Sequence, residues 1–552
     1  MLPSQGSKMS KSFSLTDEQL NAINSDRNIV ITACPGSGKT TIMVEKIRKE
    51  IPSLKNHQGI IGITFTVKAS KELKARCSKD SFNLKSSFFG TIDHFCLAEI
   101  IYPFANRIFG SNENKIECKK YIDIDDSFKN RLPNLDDNNT NLITSDYDRY
   151  HDEFERHYQS GFILLEAVGI IANHILNSSI SCKRYIRARY TSLYVDEYQD
   201  SSEPQHQLFL ILLNLGLRAI AVGDERQSIY AWRGGSSTYI RELIGLNDIF
   251  EHHIVNINHR CHPSIINYAN RLYSKNCSLL DCDEIRVFRR CFEGTQTNLA
   301  SQLNKFIPET AESFKVRNLS EIAILVRNNS SLDYLVSQLT LPFRIYKDDL
   351  LSLINSRHTE LYSDLLKYCF NESYLLHDIS QFAMCKDSLT KSELSVVRRM
   401  ITGLRGKDSS NLSLEIQEIS LNLIGSIGNE REIQALDHII SNQKEIQQYQ
   451  PSSLDELQVM TLHKSKGLEF EVVFHLDLYD WVFPYRKYTG DWGDYLYPSW
   501  HQELNLHHVG ITRARSACIL AYSTRRLNSS IQNKTGQPSA FLSIDGLEGL
   551  YL

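Results

Sequence analysis

No apolar run in this sequence approaches the ~20 residues that a membrane span requires, so no contact with a membrane is expected. The opening residues, Met1 to Ser12, are polar and hold no secretory h-region. They read as a flexible lead-in, with Met9 as an alternative start, and a cytoplasmic location is expected. A strong charge of either sign is also missing. The net charge of −4 predicts no global attraction to nucleic acid or to an anionic surface, while leaving room for a local basic groove. The 12 cysteines include no Cys-x-x-Cys pair. Their densest stretch is Cys277, Cys282 and Cys291, with His259, Cys261 and His262 upstream, and its spacing matches no common zinc or iron–sulfur site. Reduced, mostly buried thiols are expected instead. No nuclease constellation is evident, so cleavage of a nucleic acid is not expected of this chain.

What is present is enough chain for sizeable cores. The 552 residues, 41% of them hydrophobic, suggest roughly three to five domains at ~100–200 residues each. The sequence is organised around Ile29-Val30-Ile31-Thr32-Ala33-Cys34-Pro35-Gly36-Ser37-Gly38-Lys39-Thr40. A strand runs into a glycine-rich turn, then Lys-Thr, then a helical pattern from Lys39 to Arg48, which is the context a phosphate-binding loop requires. Gly36 and Gly38 let backbone N–H groups converge on phosphate oxygens, and the helix N-terminus adds a favourable dipole. Lys39 can reach the β and γ phosphates, and the Thr40 hydroxyl can serve Mg²⁺. Ala33 stands where the usual pattern has its first glycine. A plain Gly/Ser turn before an ordinary helix is the bland alternative, and a matching metal site later in the chain disfavours it. Upstream, Thr16 or Asp17 can cap a short helix with Leu20 and Ile23 as its apolar face. Gln19 on that helix carries the donor and acceptor that reading an adenine edge requires, although exposed helix glutamines are common.

Ile60 to Thr66 reads as a buried strand leading into a basic helix, Lys68 to Arg76. Gly90-Thr91-Ile92-Asp93-His94-Phe95 reads as a strand end with a polar tip, and the Thr91 hydroxyl there suits a phosphodiester contact. Phe65 offers either a stacking face for a base or simple core packing, and the sequence leaves both open. Residues 97 to 185 change character. They contain a polar loop, Leu132 to Thr140, and patterns taken as helical at Phe162 to Leu165 and at Ile170-Ile171. Ser192 to Val195 is an apolar strand ending in Asp196-Glu197. Such an end suits a nucleotide hydrolase: Asp196 holds Mg²⁺ through water and Glu197 accepts the proton of the attacking water. After the strand Ala219 to Val222, Gln227 is placed to sense a γ-phosphate. Tyr230 and Trp232 follow it closely and could couple hydrolysis to base stacking.

The second half continues an ordered series: Asn258-His259-Arg260-Cys261, Ile322 to Ser330, Val459 to Phe470, and Val509-Gly510-Ile511-Thr512-Arg513-Ala514-Arg515. In order and spacing these segments resemble superfamily 1A DNA helicases of the UvrD/PcrA/Rep type, from motif Q to motif VI, over roughly residues 13 to 545. The resemblance implies an α/β fold: two RecA-like P-loop domains, parallel sheets flanked by helices, each with a small, mainly helical insertion. The implied boundaries are 1–12 for the lead-in and 13–96 with 186–258 for the first domain. The first insertion would be 97–185, the second domain 259–345 with 456–552, and the reduced second insertion 346–455.

The resemblance also implies that ATP binds in the cleft between the two domains and is hydrolysed with Mg²⁺. Arg260 and Arg513 would reach the γ-phosphate from the second domain as fingers in cis. Glu469 would meet the ribose, and His463 and Lys466 would lie near the strand-coupling region. Phe65, Tyr230 and Trp232 would stack bases during 3′→5′ movement on single-stranded DNA. Thr41 and His259 stand where the family stacks adenine between an arginine and a tyrosine, which implies looser base discrimination and acceptance of nucleotides other than ATP. Motif Ib departs too, with Gly-Thr-Ile-Asp-His in place of Gly-Thr-Phe-His-Ser; its histidine is displaced by one residue, so the family's DNA contact does not carry over to it. The short insertions and the Gly-Thr-Ile-Asp-His-Phe-Cys segment most resemble the helicase-like subunit of Gabija anti-phage defence systems. That likeness implies a hetero-oligomer with a nuclease of the OLD (Toprim) type, acting on single-stranded DNA or DNA ends. A nucleotide-gated DNA-end sensor that unwinds little is the competing expectation.

Overall fold

Runs such as Ile29-Val30-Ile31, Ile60 to Ile63 and Ala219 to Val222 are apolar without alternation, as strands buried on both faces of a parallel sheet must be. The computed structural model describes residues 15–112, 116–136, 140–354, 356–380, 382, 390–406, 411–491, 493–528 and 532–552. The expected lead-in at 1–12 and positions 137–139 of the expected loop at 132–140 lie outside the described residues. The chain divides into two compact units, up to Arg260 and from Cys261 onward.

The strands of the first unit are β1 (Asn28–Ala33), β2 (Gly59–Ile63), β3 (Phe88–Gly90), β4 (Glu117–Lys119), β5 (Phe162–Leu164), β6 (Tyr190–Val195), β7 (Arg218–Gly223) and β8 (Phe250–Val255). Six of them form one sheet in the order β3-β2-β6-β7-β1-β8. Every pairing is parallel, with Val30 between Ala221 and His252, and Ile61 between Phe88 and Leu193. Parallel strands need crossover connections, and the helices Lys39–Glu50, Val67–Cys77, Glu203–Asn214 and Thr238–Gly245 provide them. The carboxyl ends of all six strands therefore open along one edge, where open α/β sheets bind ligands.

The segment between β3 and β6 carries the helices Asp146–Gln159, Val168–Ser178 and Ile180–Arg189. Its apolar side chains join the core on one face of the sheet, from Val30 and Ile61 to Phe154 and Ile171. Phe162 to Leu164 is a correction: it is strand β5, paired in parallel with β4, rather than helix. A four-residue apolar run has no periodicity that separates the two states.

The second unit holds β9 (Val287–Phe292), β10 (Ile322–Val326), β11 (Phe343–Tyr346), β12 (Leu457–Thr461), β13 (Phe470–His475), β14 (Ala514–Ser523) and the antiparallel pair β15 (Arg525–Leu527) and β16 (Asn533–Thr535). Its main sheet is again parallel, in the order β11-β12-β10-β13-β14-β9. Between β11 and β12 the helices Arg357–Phe370, Lys391–Thr402, Leu412–Ile424 and Glu430–Ser441 surround an apolar core of their own, including Leu361, Leu365, Ile401, Ile416 and Leu436. The return from these helices is tied to β11 by Arg344. Its buried guanidinium donates to the carbonyls of Gln447 (2.8 Å), Gln450 (2.8 Å) and Pro451 (2.7 Å) and pairs with Glu456 (3.0 Å).

No described helix is long and apolar enough to cross a membrane. The described cysteines are free thiols, but only Cys77, Cys96, Cys182, Cys261 and Cys518 are buried, fewer than expected. Among the described residues no group of three or more His, Cys, Asp or Glu side chains could hold a metal ion.

Candidate nucleotide and DNA site

The phosphate loop leaves β1 and turns into the helix Lys39–Glu50. Gly36 (φ +70°) and Gly38 (φ +81°) both take the left-handed conformation that glycine adopts without cost. A Cβ on Gly36 would lie 2.5 Å from the Arg260 Cβ, and one on Gly38 would lie 2.9 Å from the Gln19 Nε2. Ala33 is still within β1, in extended backbone, so the alanine in place of a glycine is tolerated there. Pro35 and Ser37 are buried, and the Ser37 hydroxyl donates to the Cys34 carbonyl (2.7 Å). Lys39 folds back onto the loop, with Nζ donating to the Ala33 carbonyl (3.1 Å). Lys39, Thr40 and Thr41 are half-buried at the first turn, where Gly38 supplies no side-chain cap.

Gln19 is fully buried beneath this turn, on the helix Asp17–Asn24. Its Nε2 donates to the Ser37 carbonyl (2.8 Å) and its Oε1 accepts from the Thr16 N–H (2.9 Å). The helix therefore buries Gln19, Ala22 and Ile23, while Leu20 is exposed, contrary to the expected apolar face.

The chain after β8 lies along the other side of the loop. The His259 N–H donates to the Gly36 carbonyl (3.0 Å), and the Cys34 N–H donates to the Val255 carbonyl (3.1 Å). The Arg260 N–H donates to Asn258 Oδ1 (2.8 Å). Arg260 was expected to come from the second domain, but in the fold it closes the first unit. The reason is steric: the absent side chain of Gly36 lets the Asn258–Arg260 backbone pack directly on the loop.

At the end of β6 the Asp196 N–H is still held by the Ile63 carbonyl (2.9 Å). Glu197 then takes a left-handed φ of +53°, a strained conformation for a residue with a Cβ. Asp196 Oδ1 accepts from the Glu197 N–H (3.0 Å), and Glu197 Oε2 accepts from Gln199 Nε2 (2.6 Å). At the end of β7 the buried Gln227 donates from Nε2 to Asp224 Oδ2 (2.7 Å). Phosphate loop, Asp196, Glu197, Gln227 and Arg260 thus lie along one sheet edge.

The same edge carries the aromatic residues. β2 ends at Ile63, so Phe65 stands beyond the strand on a half-exposed turn, which disposes of core packing. Its ring stacks on Tyr230 (centroids 4.8 Å apart, interplanar angle 22°), and Trp232 lies next to Tyr230 (6.4 Å). Trp232 is 40% exposed. Thr91 follows β3 and caps a short helix, Ile92–Phe95, through a bond from the His94 N–H (3.3 Å). That helix replaces the expected strand tip.

In the second unit, Arg513 is buried. Its Nε donates to the Val509 carbonyl (3.0 Å) and its Nη1 to the Leu468 carbonyl (3.2 Å). Glu469 is exposed and paired with Arg515. His463 is half-buried in the turn after β12, where its carbonyl accepts from the Lys466 N–H (3.3 Å).

The model of the UvrD/REP helicase N-terminal domain matches residues 15–166 and 111–246, and that of the UvrD-like helicase C-terminal domain matches residues 356–525. The chain belongs to the UvrD-like helicase family. It is an enzyme of the ATP-dependent DNA helicase type, and two RecA-like domains account for its two parallel sheets. Among curated relatives, the Gabija protein GajB of Bacillus cereus (strain VD045) is 27% identical over 517 residues, covering 92% of this chain and 95% of that protein. DNA helicase II of Escherichia coli (strain K12) is 23% identical over 632 residues, covering 93% and 85%. ATP-dependent DNA helicase PcrA of Staphylococcus aureus (strain MRSA252) is 22% identical over 648 residues, covering 96% and 86%. The last two alignments are longer than the 552-residue chain, so both helicases carry segments with no counterpart in this UvrD-like protein.

Three residues of the site escaped the sequence. Gln199 bridges Glu197 and the β7 loop, and Asp224 holds Gln227. Arg76, from the helix Val67–Cys77, donates from Nη2 to the Thr41 hydroxyl (2.9 Å) and so brings a guanidinium to the position where Thr41 lacks one. Only Gln199 left a local signal, an amide inside the run Asp-Glu-Tyr-Gln-Asp.

Proposed function

We propose that this protein hydrolyses ATP to drive 3′→5′ movement on single-stranded DNA, as the motor subunit of a Gabija-type anti-phage complex with an OLD-family nuclease. The observation that carries the reading is the shared edge of the first sheet, where phosphate loop, acidic strand end and stacked rings stand side by side. The loop suits a triphosphate: its two left-handed glycines let the backbone curl tightly, with Arg260 and Gln19 packed against them, and the helix start offers N–H groups. Lys39 places a cation on the β and γ phosphates, Glu197 takes a proton from the attacking water, and Gln227 and Arg260 stabilise charge on the γ-phosphate. Thr40 and Asp196 are hard oxygen donors of the kind Mg²⁺ prefers, and the bound ion would neutralise phosphate charge. For Arg513, Glu469 and His463 the family resemblance alone supports a nucleotide or DNA role.

The Gabija assignment rests on near full-length similarity to GajB. The end-sensor reading is favoured by one specific observation, the segments present in the two helicases and missing here. Strand displacement on a 3′-tailed duplex, with and without the OLD-family nuclease, separates the readings. A motor displaces the strand alone and stops when Glu197→Gln removes the base. Hydrolysis without displacement, accompanied by activation of the nuclease, would select the sensor.

A further inference from the structure

Gln199 has no exposed surface, and its carboxamide is used at both ends. Nε2 donates to Glu197 Oε2 (2.6 Å), and Oε1 accepts from the Asp224 N–H (2.9 Å). One amide therefore ties the end of β6 to the end of β7, using its donor on one and its acceptor on the other. The fold makes room for it. A Cβ on Gly223 would lie 2.6 Å from Gln199 Oε1, so the glycine at the end of β7 is what admits the amide.

The loop from Asp224 to Tyr230 is also fastened to this residue and its neighbour by two further bonds. Ser228 Oγ donates to the Gln199 carbonyl (3.1 Å), and the Ile229 N–H donates to Asp200 Oδ1 (3.4 Å). The next residue is Tyr230, whose ring stacks on Phe65. Displacement of that ring by an intercalating or stacking base would pull on a loop that is bonded to Gln199 at Asp224 and Ser228 and to Asp200 at Ile229. Gln199 in turn holds one oxygen of Glu197, a residue already in left-handed backbone that strains a side chain with a Cβ. Buried polar chains of this kind transmit displacement because each bond is costly to leave unmade.

We propose that Gln199 is the positioning residue through which occupancy of the Phe65–Tyr230 ring pair sets the orientation of Glu197, so that DNA gates hydrolysis. The inference rests on the reading that Glu197 is the general base and that the ring pair meets DNA.

The test uses the full chain and a poly(dT) oligonucleotide. ATP hydrolysis, with KM and kcat separated, is measured without DNA and at saturating DNA, and DNA affinity is followed by fluorescence anisotropy. The wild type is expected to be stimulated severalfold. In Gln199→Leu the ratio of DNA-stimulated to DNA-free kcat falls to about one, while KM and DNA affinity stay within about threefold. Ser228→Ala gives an intermediate ratio. Should Gln199→Leu not fold, Gln199→Asn keeps the amide but is one methylene too short to bridge both partners, and the same loss of ratio is expected. A variant with a lower absolute rate but the wild-type ratio would overturn the inference and leave the motor intact, since a purely structural role scales both rates together. A wild type that hydrolyses ATP without any DNA stimulation would also overturn it. Absence of hydrolysis in the wild type would instead remove the functional reading beneath it.

Discussion

At the scale of single residues, the proposed nucleotide site offers little that would grip a base. Thr41 has no face to stack on a purine, and His259, exposed beside Gly36, has a small one. Gln19 is fully buried and is already bonded at both ends of its amide, to Ser37 and to Thr16, so its second N–H and lone pair would have to be uncovered before they could read an adenine edge. Arg76 contributes a guanidinium at Thr41, which stacks on any base without distinguishing donors from acceptors. Hydrolysis of GTP, CTP and UTP is therefore expected within about tenfold of ATP in kcat/KM, since strong rejection needs a base-specific polar partner. Steady-state rates for the four nucleotides decide the matter. Rates about 100-fold lower for the other three would show that a polar partner, with Gln19 the candidate, does read adenine.

At the scale of elements, two buried clusters make measurable commitments. His475 at the end of β13 and His507 on the helix Trp500–Ile511 share a hydrogen bond (2.9 Å) in complete burial. Burial lowers the His475 pKa to about 4, and burial together with the neighbouring His475 and His508 holds His507 well below the imidazole range. Both rings are thus neutral when folded, whereas the unfolded chain takes up their protons near ~6.5. Stability is full above that pH and is lost as pH falls toward the folded value of His475, about 4. Each ring removes at most ~1.4 kcal/mol per pH unit. Thermal unfolding followed from neutral to mildly acidic pH should show this slope, and His475→Gln should flatten it. An unchanged slope in that variant would place the acid sensitivity elsewhere, for instance at the buried His157 or His206, whose pKa values burial also lowers. Arg344 is the second cluster. Removing one partner of a buried pair costs about 3–5 kcal/mol, so Arg344→Met should lower the urea midpoint of the second unit substantially and loosen the return from its helical insertion. A change under ~1 kcal/mol would mean that Glu456 and the three carbonyls find water instead.

The elements also show what a sequence can carry. Strands of the two sheets were legible because burial on both faces leaves an unbroken apolar run, as at Ile322–Val326. The phosphate loop was legible because its chemistry is contiguous, from Ala33 to Thr40. β5 was not, because Phe162 to Leu165 is too short to show a period. Nor was the position of Arg260, which depends on the backbone of Asn258–Arg260 packing against Gly36 from the far end of the first unit's sequence. Gln199, Asp224 and Arg76 owe their roles to apposition in space, and no local spacing encodes that. Their partners lie on other strands and helices.

At the scale of the whole molecule, two parallel sheets carry a helicase-family chain from which segments of the larger relatives are missing. The first unit by itself assembles the loop, the acids and the rings along one edge, so hydrolysis and DNA contact are expected to be linked within it. The most direct test of the account is the rate of ATP hydrolysis with and without single-stranded DNA, in the wild type and in Glu197→Gln. DNA-stimulated hydrolysis is expected in the wild type, with a loss of about 10²–10³-fold or more in the variant, the scale of removing a group that acts on the transition state. Wild-type hydrolysis that survives in Glu197→Gln, or a wild type that hydrolyses nothing with DNA present, would contradict it.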